Sequence, residues 1–187
     1  MSEAKLTISE MKKDHLPFLI RLWRIPKVMK YADEFPRMRG WTKSDDLKIA
    51  WTKYKEKRSE FRNDYIQLIL HLNDDLPIGE SFIFPLPEAY TFGKWRKPDS
   101  VKTLMGDIKL LPQYWGQGLG THGMKLVVHF AFAKTSCGLF VVPPHRHNPA
   151  AIRVYEKAGF THFTEMRSWR NHKIMEMTKE QFEKIYT

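Results

Sequence analysis

A glycine-rich turn is the part of this sequence whose residue types indicate chemistry most directly. Gly116, Gly118 and Gly120 alternate between a strand-like run and an apolar, helix-like run. Glycines in such a turn let backbone N–H groups point inward without Cβ clashes. The N-terminus of the helix that follows adds positive potential. The turn therefore predicts a site for a phosphate or pyrophosphate group.

Two common nucleotide-binding motifs fail at this turn. The alternation of the three glycines breaks the G-x-G-x-x-G register of dinucleotide-binding proteins. A Walker loop needs a lysine where Met124 follows Gly123. A tight strand-to-helix turn without a ligand stays open as the alternative for this segment alone.

A second segment, residues 148–160, has the pattern of a capped helix. Asn148 and Pro149 begin it, and Gly159 ends it. Asn148, Ala151 and Tyr155 fall near one helix face. A tyrosine on that face can donate a proton to a leaving group. The alternative is an ordinary capped helix with a half-buried Tyr155.

Together, the two segments resemble the GNAT acetyltransferases. The pyrophosphate loop of that family has the form [Arg/Gln]-x-x-Gly-x-[Gly/Ala], and residues 115–120 are similar, with Trp115 in place of Arg or Gln. The later family pattern, Asn-x-x-Ala-x-x-x-Tyr-x-Lys-x-Gly-Phe, matches from Asn148 to Phe160. A narrower resemblance, to the aminoglycoside 6′-N-acetyltransferase branch, rests on residues 76–79, 106–111, 118–121 and 150–160.

The resemblance implies direct transfer of an acetyl group from acetyl-CoA to a primary amine. Asp107 is expected to accept the proton of the amine, with Glu80 or a water as the alternative base. Tyr155 is expected to protonate the departing CoA thiolate. The residues expected to bind the cofactor are Leu110, Leu111, Trp115, Gln117, Gly118, Leu119, Gly120, Thr121, Asn148, Ala151 and Tyr155.

The residues that contact the acceptor are harder to assign. Trp23, Tyr31, Asp33 and Glu80 are the candidates. An aminoglycoside 6′-amine, another small-molecule amine and a protein amine all stay open as acceptors. The run Lys94–Lys97 is basic where the aminoglycoside branch is acidic, and this disfavours a polycationic drug. A regulatory acyl-CoA-binding module is the non-enzymatic alternative, and the intact Asp107 and Tyr155 argue against it.

Composition limits the other classes of function. The 187 residues predict one domain, 1–187, as a monomer or a homodimer. The net charge of +10 is scattered and lacks a nucleic-acid reader motif, so no nucleic-acid partner is expected. A single cysteine, no targeting signal and no long apolar stretch predict a cytoplasmic protein without a membrane partner. His145 and His147 alone make a weak metal site, so no metal is expected.

The order of elements predicts an α/β (α+β) fold, GNAT-like, with a mixed central sheet flanked by helices. Strands are predicted from Leu6 and over 65–72, 78–84, 100–111, 139–142, 160–169 and 172–177, and helices from Asp14, from the capping pair Thr42 and Asp45, and over 121–134, 148–159 and 179–186. Residues 85–99 are predicted to be a loop.

Overall fold

The computed structural model describes residues 5–32, 41–42, 44–62, 64–73, 75–163 and 171–186. The strands are β1 (Leu6–Glu10), β2 (Ile66–Leu72), β3 (Leu76–Pro85), β4 (Thr91–Phe92), β5 (Trp95–Arg96), β6 (Thr103–Gly106), β7 (Lys109–Leu110), β8 (Leu139–Val142), β9 (Thr161–His162) and β10 (Met175–Thr178). The helices are α1 (Leu16–Trp23), α2 (Pro26–Met29), α3 (Leu47–Glu60), α4 (Leu119–Lys134), α5 (Pro149–Lys157) and α6 (Lys179–Tyr186).

The chain forms two compact units. The first comprises residues 1–82 and 108–123, and the second comprises residues 83–107 and 124–187. Strand β3 and helix α4 each begin in the first unit and end in the second. The expectation of one functional domain stays a prediction.

The sheet of the first unit consists of β1, β2, β3 and β7. β1 pairs antiparallel with β2, with Leu6 opposite Leu72. β2 lies beside β3, and β7 pairs antiparallel with β3 so that Glu80 faces Lys109. Helix α1 buries Leu16, Leu19 and Leu22 completely. The hairpin predicted from the strands over 65–72 and 78–84 is confirmed as β2 and β3, and β7 pairs with β3.

Two helices of the first unit begin later than the sequence predicts. A 3-10 turn over Lys13–His15 precedes α1, so Asp14 does not cap that helix. Thr42 N–H donates to Asp45 as expected, but this bond closes a turn ahead of α3. Asp46 is the actual cap, because its extended backbone lets its carboxylate accept from Ile49 N–H at 2.8 Å.

The sheet of the second unit starts at the end of β3. Antiparallel pairing joins β3 to β6, β8 to β10 and β10 to β9, and β6 with β8 is parallel. The side chains of β8 are all buried, as a central strand requires. The segment predicted as a loop, residues 85–99, contains the β4–β5 hairpin, whose Phe92 and Trp95 are buried.

The predicted fold class is confirmed, since strands in a mixed, mostly antiparallel arrangement are accompanied by helices. Of the closing strand predicted over 160–169, only residues 160–163 are described, and β9 covers two of them; the strand predicted over 172–177 begins later, at Met175. In the ranges that the structure describes, no helix is long and apolar enough to span a bilayer.

Candidate active site

The glycine turn adopts the backbone that its sequence indicates. A 3-10 turn over Pro112–Tyr114 leads into Gly116 and Gly118, whose φ angles are +75° and +79°. These left-handed values favour glycine. A Cβ added at either glycine would meet nothing within 4 Å, so the inner face of the turn is open. The turn can therefore receive a ligand without moving a side chain at either glycine.

The N-terminus of α4 supplies the donors at this turn. The helix begins at Leu119, two residues earlier than predicted, and His122 N–H donates to Gly118 C=O at 3.1 Å. The N–H groups of Leu119, Gly120 and Thr121 belong to the first turn and have no acceptor within the helix. Helix N-termini with such free amides bind phosphate groups. The predicted pyrophosphate residues thus lie together.

Two side chains brace the loop that precedes α4. The Trp115 indole N–H donates to Leu110 C=O at 2.9 Å, and the Gln117 amide donates to Gln113 C=O at 2.8 Å. Trp115 is nevertheless 46% exposed. The loop is thus held in shape by its own side chains.

Strand β7 has one edge free for an extended ligand. Leu111 N–H donates to Ile78 C=O at 2.8 Å, in the register that places Leu110 opposite Gly79. Hydrogen-bonded and non-bonded pairs alternate in an antiparallel ladder. The N–H and C=O of Leu110 therefore face away from β3. Among the described residues, no strand pairs with that edge of β7.

Asp107 lies at an interruption in the strand predicted over 100–111. Gly106 faces Ile83 and Lys109 faces Glu80, so both halves keep one register with β3. Asp107 and Ile108 leave the ladder between them and are half-buried. The carboxylate thus lies directly before the strand that offers the free edge. No observation tests its role as the base, which stays a prediction.

Glu80, the alternative base, is a fully buried carboxylate surrounded by donors. Trp23 Nε1 donates to Glu80 Oε1 at 2.7 Å, and the Gln67 side-chain amide donates to Oε2. Lys109 Nζ lies 3.6 Å from Oε1. Each carboxylate oxygen thus already accepts a hydrogen bond. No observation tests Glu80 as the alternative base, and that role stays a prediction.

Gln67 and Lys109 are partners that sequence reasoning missed. Gln67 is fully buried and, with His71, is one of two polar residues in the otherwise apolar run YIQLILHL. A buried amide needs a polar partner. This was the signal available in the sequence, although it could not identify the partner.

The residues predicted to contact the acceptor lie in different surroundings. The Trp23 ring is buried and stacks on Trp41, with centroids 4.1 Å apart. Its indole N–H donates to Glu80, and its role toward the acceptor stays a prediction. Tyr31 is half-buried, and Lys30 Nζ lies 5.1 Å from its ring centroid. Asp33 lies outside the described residues.

The second segment of the resemblance, residues 148–160, folds as predicted and belongs to the second unit. Asn148 Oδ1 accepts from Ala151 N–H at 3.2 Å and caps α5. Gly159, with φ of +92°, ends the helix turn. Tyr155 is 3% exposed and packs edge-to-face on Phe160. Tyr155 is therefore more buried than expected for an ordinary capped helix, where a half-buried side chain was predicted. Its catalytic role stays a prediction.

The basic run Lys94–Lys97 is partly neutralised. The Lys97 side chain is 2% exposed, and its ammonium lies 2.8 Å from Glu88 Oε1. Trp95 Nε1 donates to Glu176 Oε2 at 3.0 Å. Lys94 and Arg96 are the exposed cations of this run. Its contribution to the surface charge is smaller than the sequence indicates.

His145 and His147 have a third neighbour. The ring of the buried His172 lies 5.0 Å from that of His145, and His147 lies 5.5 Å from His145 on the exposed side. Within the described part of the chain, no group of three or more His, Cys, Asp or Glu is arranged to hold a metal ion.

The comparison with protein families decides the identity. The family model described as an acetyltransferase (GNAT) domain matches residues 5–161. The chain belongs to the GNAT acetyltransferases. This GNAT protein is accordingly an acetyl-CoA-dependent N-acetyltransferase.

Solved structures share the fold of this GNAT protein over almost its whole length. The aminoglycoside acetyltransferase AAC(6')-Ib in complex with coenzyme A has a TM-score of 0.74 at 21% identity, covering 98% of this chain and 100% of the other. The same enzyme with coenzyme A and kanamycin gives 0.73 at 21% identity, covering 98% and 100%. The Vibrio cholerae spermidine N-acetyltransferase with CoA and spermine gives 0.71 at 14% identity, covering 95% and 97%.

Proposed function

We propose that this GNAT protein transfers the acetyl group of acetyl-CoA to a primary amine of a small molecule, such as an aminoglycoside 6′-amine or a polyamine. The observation that carries the proposal is the open glycine turn, which joins the free edge of β7 to the N-terminus of α4. That order places a strand edge, which can pair with an extended amide-bearing arm, next to the amides of Leu119, Gly120 and Thr121, which we call the phosphate cradle. Acetyl-CoA has both groups in the same order.

Residues of the first unit would bind the pyrophosphate and the arm of the cofactor. The amides of Leu119, Gly120 and Thr121 would hold the pyrophosphate, since they are free of helical acceptors. The pantetheine arm would pair with Leu110, whose N–H and C=O face the free edge. Arm pairing fixes the thioester along the direction of β7.

Asp107 would serve as the base in the transfer. A primary amine is protonated at neutral pH, so it must lose a proton before its nitrogen attacks the thioester carbonyl. The half-buried Asp107 carboxylate precedes β7 and would accept that proton, directly or through a water. Glu80 is less suited to this step, because its oxygens already accept from Trp23 and Gln67. Tyr155 would return a proton to the CoA thiolate.

Two observations support a small-molecule acceptor. The similar enzymes named above are described with kanamycin and with spermine. The ion pair of Lys97 with Glu88 also removes one cation from the surface that disfavoured a polycationic acceptor. Lys94 and Arg96 remain exposed. Among aminoglycosides and polyamines, those with fewer positive charges are therefore favoured as acceptors.

An acetyl-transfer assay tests the proposal. The protein is incubated with acetyl-CoA and kanamycin, ribostamycin, spermidine, spermine or a lysine peptide, and free CoA thiol is measured. Burial raises the pKa of Cys137 to about 12, so the protein's own thiol does not contribute in the folded state. Release with a small amine above the amine-free rate is expected. Release with the peptide alone would indicate a protein acceptor, and binding without release would indicate an acyl-CoA-binding module.

A further inference from the structure

Trp115 occupies the position where a cofactor arm would bond to β7. The register of β7 on β3 turns Leu110 C=O toward the edge of β7 that faces away from β3. The Trp115 indole N–H donates to that same carbonyl oxygen at 2.9 Å. The carbonyl is thus capped by a side chain of the loop that leads to the phosphate cradle.

We propose that the Trp115 indole is a displaceable substitute for an amide of the acyl-CoA arm. It satisfies Leu110 C=O while the site is empty, and it leaves that oxygen when the arm pairs with β7. This inference rests on the proposed function, because it requires the arm of acetyl-CoA to bind at the free edge. It assigns Trp115 as a competitor of the arm, whereas the sequence motif suggested a cofactor ligand.

The surroundings of Trp115 permit this exchange. Trp115 is 46% exposed, whereas Trp23, Trp41 and Trp95 are at most 3% exposed. Rotation of the Trp115 indole into solvent therefore uncovers less buried apolar surface than rotation of any of those three side chains would. The backbone N–H of Trp115 bonds to Pro112 C=O at 3.1 Å, and this bond need not break when the side chain turns.

The rest of the loop would keep its shape during the exchange. The Gln117 amide holds Gln113 C=O at 2.8 Å, and that carbonyl lies outside β7. Gly116 and Gly118, whose φ angles are left-handed, directly precede and follow Gln117 in the chain. The phosphate cradle is therefore braced independently of Trp115, and only the arm position depends on the indole.

The exchange predicts an affinity cost in the wild type. Breaking a hydrogen bond to a partly exposed carbonyl costs about 0.5–1.5 kcal/mol, which corresponds to roughly a twofold to tenfold weaker affinity. Trp115→Phe keeps an aromatic ring and removes the donor. It should therefore bind acetyl-CoA about two to ten times more tightly than the wild type. Trp51→Phe on α3 is the matched control, and its affinity should be unchanged.

The movement of the indole can be observed directly. Indole N–H signals are recorded by proton–nitrogen NMR, and the Trp115 signal is assigned by its absence in Trp115→Phe. Saturating acetyl-CoA should move this signal to the position of a water-exposed indole and leave the Trp51 signal in place. Isothermal titration calorimetry supplies the affinities of the three proteins.

Three results are distinguishable. A shifted Trp115 signal with tighter binding by Trp115→Phe supports the exchange. Binding of acetyl-CoA by the wild type with an unmoved Trp115 signal, or with equal or weaker binding by Trp115→Phe, overturns the exchange and leaves the proposed function standing. No binding of acetyl-CoA by any of the three proteins overturns both.

Discussion

Lys109 Nζ lies 3.6 Å from Glu80 Oε1, and the two side chains are only 5% and 0% exposed. The residues face each other directly in the β3–β7 ladder. The ammonium also lies 5.7 Å from the centroid of the Phe82 ring. A buried ion pair of this kind is strongly destabilising when one partner is removed, because the other charge is left in the core. The pair therefore ties the strand with the free edge to the core of the first unit.

Lys109→Met should lower the free energy of unfolding by about 3–5 kcal/mol, because the Glu80 carboxylate loses its countercharge. The double variant Glu80→Gln/Lys109→Met should recover much of that loss, since it buries no charge. Urea unfolding followed by circular dichroism measures both. Lys125→Met, at an exposed lysine of α4, is the control. Unfolding of Lys109→Met at the same urea concentration as this control would contradict the structural role.

Asp107→Asn should reduce kcat by about 10²–10⁴-fold, because an amide cannot accept the proton of the amine. The dissociation constant for acetyl-CoA should stay the same, since the base does not hold the cofactor. Steady-state kinetics and calorimetry separate the two effects. Asp99→Asn, at an exposed carboxylate in the same segment, should retain full turnover. Full turnover in Asp107→Asn would move the role of base to a water or to Glu80.

Gly118→Ala and Gly123→Ala should fail in different ways. At Gly118 an added Cβ has open space, so the cost is the left-handed φ of +79°, about 1–2 kcal/mol. Weaker acetyl-CoA binding with a folded protein is expected. At Gly123 the Cβ would collide with Leu70 Cδ2 and lie 2.9 Å from Ile108 Cδ1. A lower melting temperature is expected there, and thermal melts with calorimetry on both variants test the contrast. Equal melting temperatures would refute it.

The stability of the first unit should fall as the pH drops below about 6.5. The rings of His15 and His71 lie 5.4 Å apart, and burial lowers the pKa of each below 6.5. The neighbouring His71 and then Lys12 lower the pKa of His15 further, whereas Asp14 opposes them. On acidification the unfolded chain then binds more protons than the folded chain. The stability that the two neutral histidines contribute is therefore fully present above pH 6.5 and is lost as the pH falls.

The variant His71→Gln should show a smaller loss of stability between pH 7.5 and pH 5.5 than the wild type. The His71 ring accepts or donates one bond to Ser9 Oγ at 2.9 Å, which glutamine can replace in part. His147→Gln, at an exposed histidine, is the control. Urea midpoints at both pH values provide the measurement. The same pH dependence in His71→Gln and the wild type would exclude this histidine pair as the cause.

Local patterns predicted many of the elements and the backbone of the glycine turn. The glycine turn, the run over Leu139–Val142 and the helix capped by Asn148 each require a backbone that neighbouring residues specify. A left-handed glycine or a helix cap depends on contacts within four residues, so the sequence contains the whole cause. The predicted caps at Asp14 and Asp45 are wrong by one or two residues, because several neighbouring polar residues compete to cap each helix.

The sequence by itself determined the family, the order of most elements and the glycine turn before α4. Only the tertiary structure decided which partners Glu80, Lys109 and Trp115 contact. Alternation along a strand fixes which face a side chain takes, but the register with another strand fixes its partner. Glu80 meets Trp23, Gln67 and Lys109 from distant parts of the chain, and no local pattern specifies those contacts. Trp115 caps Leu110 because the same register turns that carbonyl toward the free edge of β7.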